Sequence, residues 1–434
     1  MPESEDNRQH KEGRTVFLVI LIAHLALAAV MNGGAGGLFS GEAVSRTGVA
    51  LDLLAGDMKG RQGLVGSLYW APLPTLLVLP FIMLTSSGFA CCIVSAIVAA
   101  AAGTFLNAWW RRHGVSPLAR FGGVLLYEIQ PEVIMSVITG TSSIVFAALV
   151  FVSFACLLDW LRTSKLSSLA YLSVLLALAI LTRYQSVVYG AAVFFILLIS
   201  LVGERRDRGY REAVLFTFLV PLLYATGVWF AANWLIMGDP IFFLRGVLPT
   251  CYARTDPYTI LTEGCEWRMV LIPMLLVAAA RPQARGIGST LTGTAIVLIC
   301  LIGVIFGVES VLRMERTSDR REMAKVIEYC LQNHADDRVI IAGYRGYEIT
   351  RGLDADKRKV FVHYISMYLD MALEQTRGKD LYILIPKPMG KNRWEDVNLK
   401  YPGMYEGAPE IILFDHGEPD WETWRLFRIV RTDL

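Results

Sequence analysis

The sequence predicts an α-helical multi-pass membrane protein of about nine spans, carrying a soluble α/β domain at its C-terminal end. Three observations predict it. Hydrophobic residues make up 54% of the 434 and charged residues only 18%, with a mean hydropathy of +0.46, which is too apolar for an ordinary soluble domain. Apolar stretches close to the length a spanning helix needs recur at 15–32, 71–86, 88–109, 142–160, 167–182, 184–202, 212–231, 268–280 and 289–311. Past residue 312 the composition changes abruptly, and the last stretch holds 20 of the 41 Lys+Arg and 21 of the 39 Asp+Glu.

The chain therefore divides into a transmembrane part, 1–311, and a soluble part, 312–434. The polar start MPESEDNRQHKEGR leads into an apolar run with no small-residue cleavage site, so the run reads as a retained first helix. A net charge of +2 makes no case for nucleic acid, and no Cys/His spacing of the zinc type occurs, so no cofactor or metal is indicated. Arg205, Arg206, Arg208 and Arg211 crowd one connection, Arg162 and Lys165 another, Arg281 and Arg285 a third. With nine spans all three fall on the side of the N-terminus, which makes that side cytoplasmic and the C-terminal domain extracytoplasmic. Arg111, Arg112 and Arg120 fall outside in this scheme, so 110–141 is expected to be a re-entrant or surface-lying excursion lining a cavity.

Between the first two apolar stretches lies a polar loop, 33–70, with SGEAVSRTGVALDLLAGDMKGRQG at its centre. It sets Glu42, Asp52 and Asp57 close to Arg46, Lys59 and Arg61 at the membrane surface. Carboxylates that can take a proton, beside cations that can hold a phosphate, suit a transferase that uses lipid phosphates. In the C-terminal part, Ser318 can cap a helix with Met323, Val326, Ile327, Cys330 and Leu331 on one face. VIIAGY, KVFVHY, LYILIP, EIILFD and WRLFRIV follow as strands, with a helix near 366–376. Gly343, Arg345 and Gly346 stand just after the first of them, where open α/β sheets bind ligands and where a plain turn fits equally.

A first helix, an acidic loop with amphipathic pieces, and WAPLPTLL opening the second apolar stretch resemble the membrane glycosyltransferases of the GT-C superfamily. These are the relatives of protein mannosyltransferases and aminoarabinose transferases. LALAILTRYQS, with Arg183 at a helix end, and ANWLIMGDPIFFLRG agree with it, and the resemblance covers about residues 15–311. It implies transfer of a sugar from a polyprenyl-phosphate donor, with inversion, to a glycan, lipid or protein acceptor on the extracytoplasmic face of a cell membrane.

Such families carry a catalytic acid, typically in an Asp-Glu pair, shortly after the first helix. The matching place is SGEAVSR, where Gly41 stands in the Asp position and Glu42 in the Glu position. The resemblance thus implies Glu42 or Asp57 as the base and Lys59, Arg61 and Arg183 as the clamp on the donor phosphate. It equally admits a non-catalytic relative acting as a scaffold or assembly subunit. For Glu42 a capping or solvated acid stays open, and for Asp57 a turn-former.

Glu128 and Glu132 flank Ile129-Gln130-Pro131 and would share a face on one helix, a costly placement at membrane depth. They are secondary candidates, with Tyr184, Gln185 and Asn233 as sugar hydrogen-bonders and Asp239 and Arg245 opening a long outer loop. Cys251 and Cys265 share that loop, where a disulfide can form, while Cys91, Cys92, Cys156 and Cys300 read as packing residues.

Overall fold

The structure, a computed structural model, describes residues 5–33, 39–56, 58–66, 71–85, 88–203, 207–243, 274, 318–342, 357, 360–364, 381–387, 403–406, 414–421 and 424–429. Eleven helices occupy the described part of the first 243 residues. They are α1 (Glu5–Asn32), α2 (Gly41–Leu54), α3 (Met58–Gly66), α4 (Leu73–Ile82), α5 (Phe89–Arg112), α6 (Pro117–Glu128), α7 (Pro131–Thr139), α8 (Ser143–Thr163), α9 (Leu166–Ile180), α10 (Ser186–Gly203) and α11 (Arg208–Met237). Four helices, α1, α5, α8 and α11, are long and apolar enough to cross a membrane, and the bent pair α6–α7 makes a fifth if it counts as one span. This is a membrane protein. Val30, Val188, Ile199, Val202, Val220 and Leu235 project outward from the bundle, the arrangement expected where hydrocarbon rather than water is the solvent.

Contacts between helix ends fix the path of the chain. Glu12, on the second turn of α1, pairs with Arg111 at 3.5 Å and Arg120 at 3.3 Å. At the far end of α1, Asn32 Nδ2 donates to Ile138 O at 2.9 Å, and Ser40 N donates to Thr139 O at 2.9 Å. Residues 120–138 thus join the two ends of the stretch from Glu12 to Asn32, which at 1.5 Å per residue is about 30 Å, one membrane thickness.

The expected excursion at 110–141 takes a definite form. It is a broken helix pair, α6 and α7, bent by 53°, that runs the length of α1. Pro131 explains the break, since it removes a helical N–H and pushes Gln130 into an extended conformation (ψ 130°). Conversely α4, expected as a span, has only ten residues, about 15 Å, half of what a crossing needs. Leu73 N bonds to Leu181 O, and the turn before α5 packs Gly88 on Phe39 beside Ser40, so α4 starts and leaves at the same end of the bundle.

The basic residues of several connections meet at one end of the bundle. Arg162 Nη1 meets His113 Nε2 at 2.9 Å, and Tyr210 donates to Ser164 O at 3.0 Å. Arg111, Arg112, Arg120, Arg162, Lys165, Arg208 and Arg211 therefore all lie at the end where α1 begins. Two glycines let α6 approach α5: a Cβ on Gly123 would fall 1.9 Å from the Trp110 ring, and one on Gly103 would fall 2.1 Å from Glu128 Oε1. The core runs along α5 and α8 through Leu106, Trp109, Tyr127, Val137, Ile144 and Phe151, with Cys91 and Cys92 buried in it as packing residues and Cys156 partly buried nearby.

In the C-terminal part, α12 (Ser318–Asn333) precedes β1 (Arg338–Ala342), β2 (Phe361–Tyr364), β3 (Leu381–Pro386), β4 (Phe414–Asp420) and β5 (Trp424–Ile429). They form one sheet of order β2-β1-β3-β5-β4, parallel on its β2-β1-β3 side and antiparallel on the other. Val326 and Cys330 of α12 are buried against Val339, Ile341, Leu384 and Leu426, the face its periodicity predicts. β5 begins at Trp424, where WRLFRIV places it, and the described part of β4 starts at Phe414 within EIILFD. Gly343, Arg345, Gly346, Cys251, Cys265, Cys300, the two apolar stretches at 268–280 and 289–311, and the helix near 366–376 lie outside the described residues, apart from Met274.

Candidate functional site

The end of the bundle opposite the start of α1 gathers several helix termini. α2, α4 and α8 begin there, α7 and α9 end there. Ser40 caps α2 by accepting from Ala43 N at 3.0 Å, which places Glu42 in the first turn, where an acid is favoured by the helix dipole. Gly140 ends α7 with φ +71°, and a Cβ there would lie 2.8 Å from Cys91 Cβ, so only glycine turns the chain this tightly into Ser142 and Ser143. Ser186 Oγ closes the turn after α9 by donating to Ala179 O and Arg183 O, which holds Arg183 at the rim.

Glu42 is the centre of this corner. Its Oε1 accepts from Arg46 Nε at 2.8 Å, from Ser142 N at 3.3 Å, and from the Ser142 hydroxyl in a short bond. Its Oε2 faces Arg183 Nη2 at 3.8 Å, and Arg183 also donates to Ser143 Oγ at 2.8 Å. Arg46 spans the corner beneath, donating to Thr75 Oγ1 at 2.9 Å and to Ala71 O at 3.2 Å. Its side chain is 3% exposed against 15% for Arg183. One guanidinium is thus enclosed and the other reaches the surface at the edge of the corner. Burial by itself would raise the Glu42 carboxyl, but the charges of Arg46 and Arg183 and the Ser142 and Arg46 hydrogen bonds outweigh it, and the group is held below its ordinary value near 4.5. Glu42 is therefore ionised near neutrality, with one oxygen committed and the other turned to Arg183.

Of the residues singled out in the sequence, the structure joins Glu42 and Arg183, 141 positions apart. It joins none of the other described candidate side chains to them. Arg61 is exposed on α3, Asp57 lies outside the described residues, and the side chain of Lys59 is not described. Glu128 and Glu132 are buried but do not share a helix face, because the break at 129–130 puts them on different helices. Gln185 is exposed. Tyr184 stacks on Phe243 with centroids 5.2 Å apart, beside Trp229. Asn233 is fully buried and donates to its own helix at Trp229 O. Asp239 Oδ1 caps its turn by accepting from Ile241 N at 3.0 Å, and Arg245 lies outside the described residues.

Arg46 is named beside Glu42 in the loop but given no role, and Thr75, Ser142 and Ser143 are participants that the candidate set does not include. The i,i+4 spacing of Glu42 and Arg46 is the signal for their pairing. The two serines open α8 in TGTSSIVF, which reads as an ordinary helix start. Among the described residues no group of three His, Cys, Asp or Glu side chains could hold a metal ion.

No protein-family model and no curated protein matches the chain. Among solved structures it is similar to ArnT from Cupriavidus metallidurans bound to undecaprenyl phosphate, at 9% identity over 95% of this chain and 97% of that chain, with a TM-score of 0.45.

Proposed function

We propose that the chain is a membrane glycosyltransferase that moves a sugar from a polyprenyl-phosphate donor to an acceptor hydroxyl, with inversion, on the extracytoplasmic face. The single observation that carries the reading is the Glu42–Arg183 pair at 3.8 Å, a carboxylate and a rim guanidinium at one end of an apolar bundle. Its location agrees with the sequence resemblance, and the seven basic residues at the other end agree with a cytoplasmic N-terminus.

In this mechanism the acceptor oxygen attacks the anomeric carbon while Glu42 Oε2 takes its proton. The bond from the anomeric carbon to the phosphate oxygen breaks, and the lipid phosphate leaves with the electron pair. Arg183 moves from Glu42 and Ser143 onto that phosphate, whose charge it matches with a fork of donors. Arg46 keeps Glu42 in place and takes no part in the transfer.

A second reading, a scaffold subunit of the same architecture, is favoured by one observation: Glu42 Oε1 already accepts three hydrogen bonds, as a structural acid would. Membranes given labelled polyprenyl-phosphate sugars separate the two. The enzyme reading expects label in an acceptor with the parent chain, and a loss with Glu42→Gln while Asp57→Ala leaves transfer intact. No transfer from any donor by the parent chain, together with its appearance in Gly41→Asp, would establish that the missing Asp has silenced a former enzyme.

A further inference from the structure

A second polar cluster lies away from the Glu42 corner, inside the bundle where α6 gives way to α7. Glu128, the last residue of α6, reaches across Gly103 of α5 toward His24 of α1, with Oε2 3.6 Å from His24 Nε2 and side chains 8% and 7% exposed. Gly103 makes the approach feasible, since any Cβ there would strike Glu128 Oε1. Both Glu128 oxygens, His24 Nδ1, Tyr127 Oη and both amide atoms of Gln130 are buried with no hydrogen-bond partner among the described residues.

Depth follows from α1. His24 is eight residues from Asn32 and twelve from Glu12, about 12 Å and about 18 Å along the axis, so the pair sits near mid-thickness. The other charged groups on the packed elements lie well away along their helices. Arg14 on α1 is ten residues from His24, about 15 Å. Arg111 on α5, Arg120 on α6 and Asp159 on α8 are each eight residues from Gly103, Glu128 and Phe151 respectively, about 12 Å. Tyr127 is adjacent on α6, and Glu132 follows the break on α7. A bare carboxylate at this depth, with no donor in hydrogen-bond range among the described residues, is untenable, and an intramembrane acid marks a function with its partner beside it.

We propose that Glu128 and His24 form an intramembrane proton-binding site, in which one proton is held between the carboxyl and the imidazole. With that proton the pair carries no net charge, whether it resides on oxygen or nitrogen, and so meets the demand of the apolar surroundings. The unpartnered Gln130 and Tyr127 groups mark where water entering at the α6–α7 break would reach the pair and exchange the proton. The site is independent of the glycosyl-transfer reading.

The test uses the full chain in lipid nanodiscs and dicyclohexylcarbodiimide, an apolar reagent whose nitrogen takes the proton of a carboxylic acid as the carboxyl oxygen adds to its carbon. Modification is read at each Glu by peptide mass spectrometry from about pH 6 to about 9. The expected result is modification of Glu128 several-fold faster than of Glu12 and Glu212, a rate unaffected by sodium ions at constant ionic strength, and an altered pH dependence in His24→Ala. Protection by sodium ions would overturn the proposal in favour of a metal-cation site. Absence of modification at Glu128 in both the parent chain and His24→Ala, which opens space beside the carboxyl, would show a carboxylate without a proton and overturn it as well.

Discussion

The two arginines of the Glu42 corner are expected to do different work, and replacing each by methionine separates them. Arg46→Met removes charge-assisted hydrogen bonds to Glu42, Thr75 and Ala71 from a side chain that is 3% exposed. At about 1.5 kcal/mol each the loss is about 4.5 kcal/mol. That agrees with the roughly 3–5 kcal/mol found when one partner of a buried ion pair is removed. Arg183→Met removes the bond to Ser143 and a 3.8 Å contact at the rim, a cost of about 1–2 kcal/mol. If Arg183 holds the departing phosphate, its loss should lower kcat/KM about 100-fold or more, the effect of deleting one preorganised donor. Thermal unfolding in detergent and transfer from a labelled polyprenyl-phosphate sugar measure the two quantities on the same preparations. Two outcomes would refute the division of roles: an Arg183→Met protein that transfers at the parent rate, or one that is destabilised as strongly as Arg46→Met.

Glu42→Gln should lower kcat by about 10² to 10⁴, the usual contribution of a positioned base, as measured in the same transfer assay. Because the folded state holds Glu42 below its ordinary value, its stabilisation is fully present above about pH 4.5 and is lost as pH falls through the depressed value. Melting temperatures between about pH 3 and about pH 7 should therefore show less acid dependence in Glu42→Gln than in the parent. Gly123→Ala places a Cβ 1.9 Å from the Trp110 ring and should cost about 1–3 kcal/mol by the same melts, without a change in KM. Gly140→Ala combines a φ of +71° with a 2.8 Å approach to Cys91, for a similar cost of about 1–3 kcal/mol. It should also lower kcat, because it displaces Ser142 from Glu42.

Apolar length and charge made the class of this protein readable, and the reason lies in the bilayer, which imposes both. What they could not resolve was whether an apolar run of borderline length crosses. Residues 71–86 are as apolar as a span, yet the helix that forms there has ten residues and is anchored at one end by Leu73 on Leu181. Residues 117–139 contain Pro131 and two acids, and still run the full length of α1. Hydropathy counts residues along the chain, whereas crossing depends on where the ends are tied. The basic residues at 111, 112 and 120 lie with Arg162 at the end where α1 begins, a grouping that hydropathy alone did not give them. The site was legible to a similar degree. Glu42 and Arg183 are visible as polar residues at apolar edges, but Ser142 and Ser143 contribute through backbone position, and a serine at a helix start looks the same whether or not a carboxylate lies above it.

The lowered position of the Glu42 carboxyl looks at first like an argument against its acting as a base. The causes of the shift change that. After the opposing effect of burial, Arg46 and Arg183 are the two charges that hold it down, and they differ in what a donor can do to them. Arg46 is enclosed by α2, α4 and α8 and keeps its contacts. Arg183 stands at the rim, and in the proposed mechanism the incoming phosphate draws it away from Glu42. The carboxylate then loses one of its two stabilising charges while a second anion arrives nearby, and both changes raise its affinity for a proton. Glu42 would thus become a competent base only when a donor is bound. The acid limb of kcat/KM, which reports the free enzyme, should accordingly lie below that of kcat, which reports the complex. In a conservative Arg183→Gln protein the two limbs should draw together, the kcat/KM limb moving up. If the limbs coincide in the parent chain, the donor does not activate Glu42 through Arg183, and the guanidinium serves only to bind.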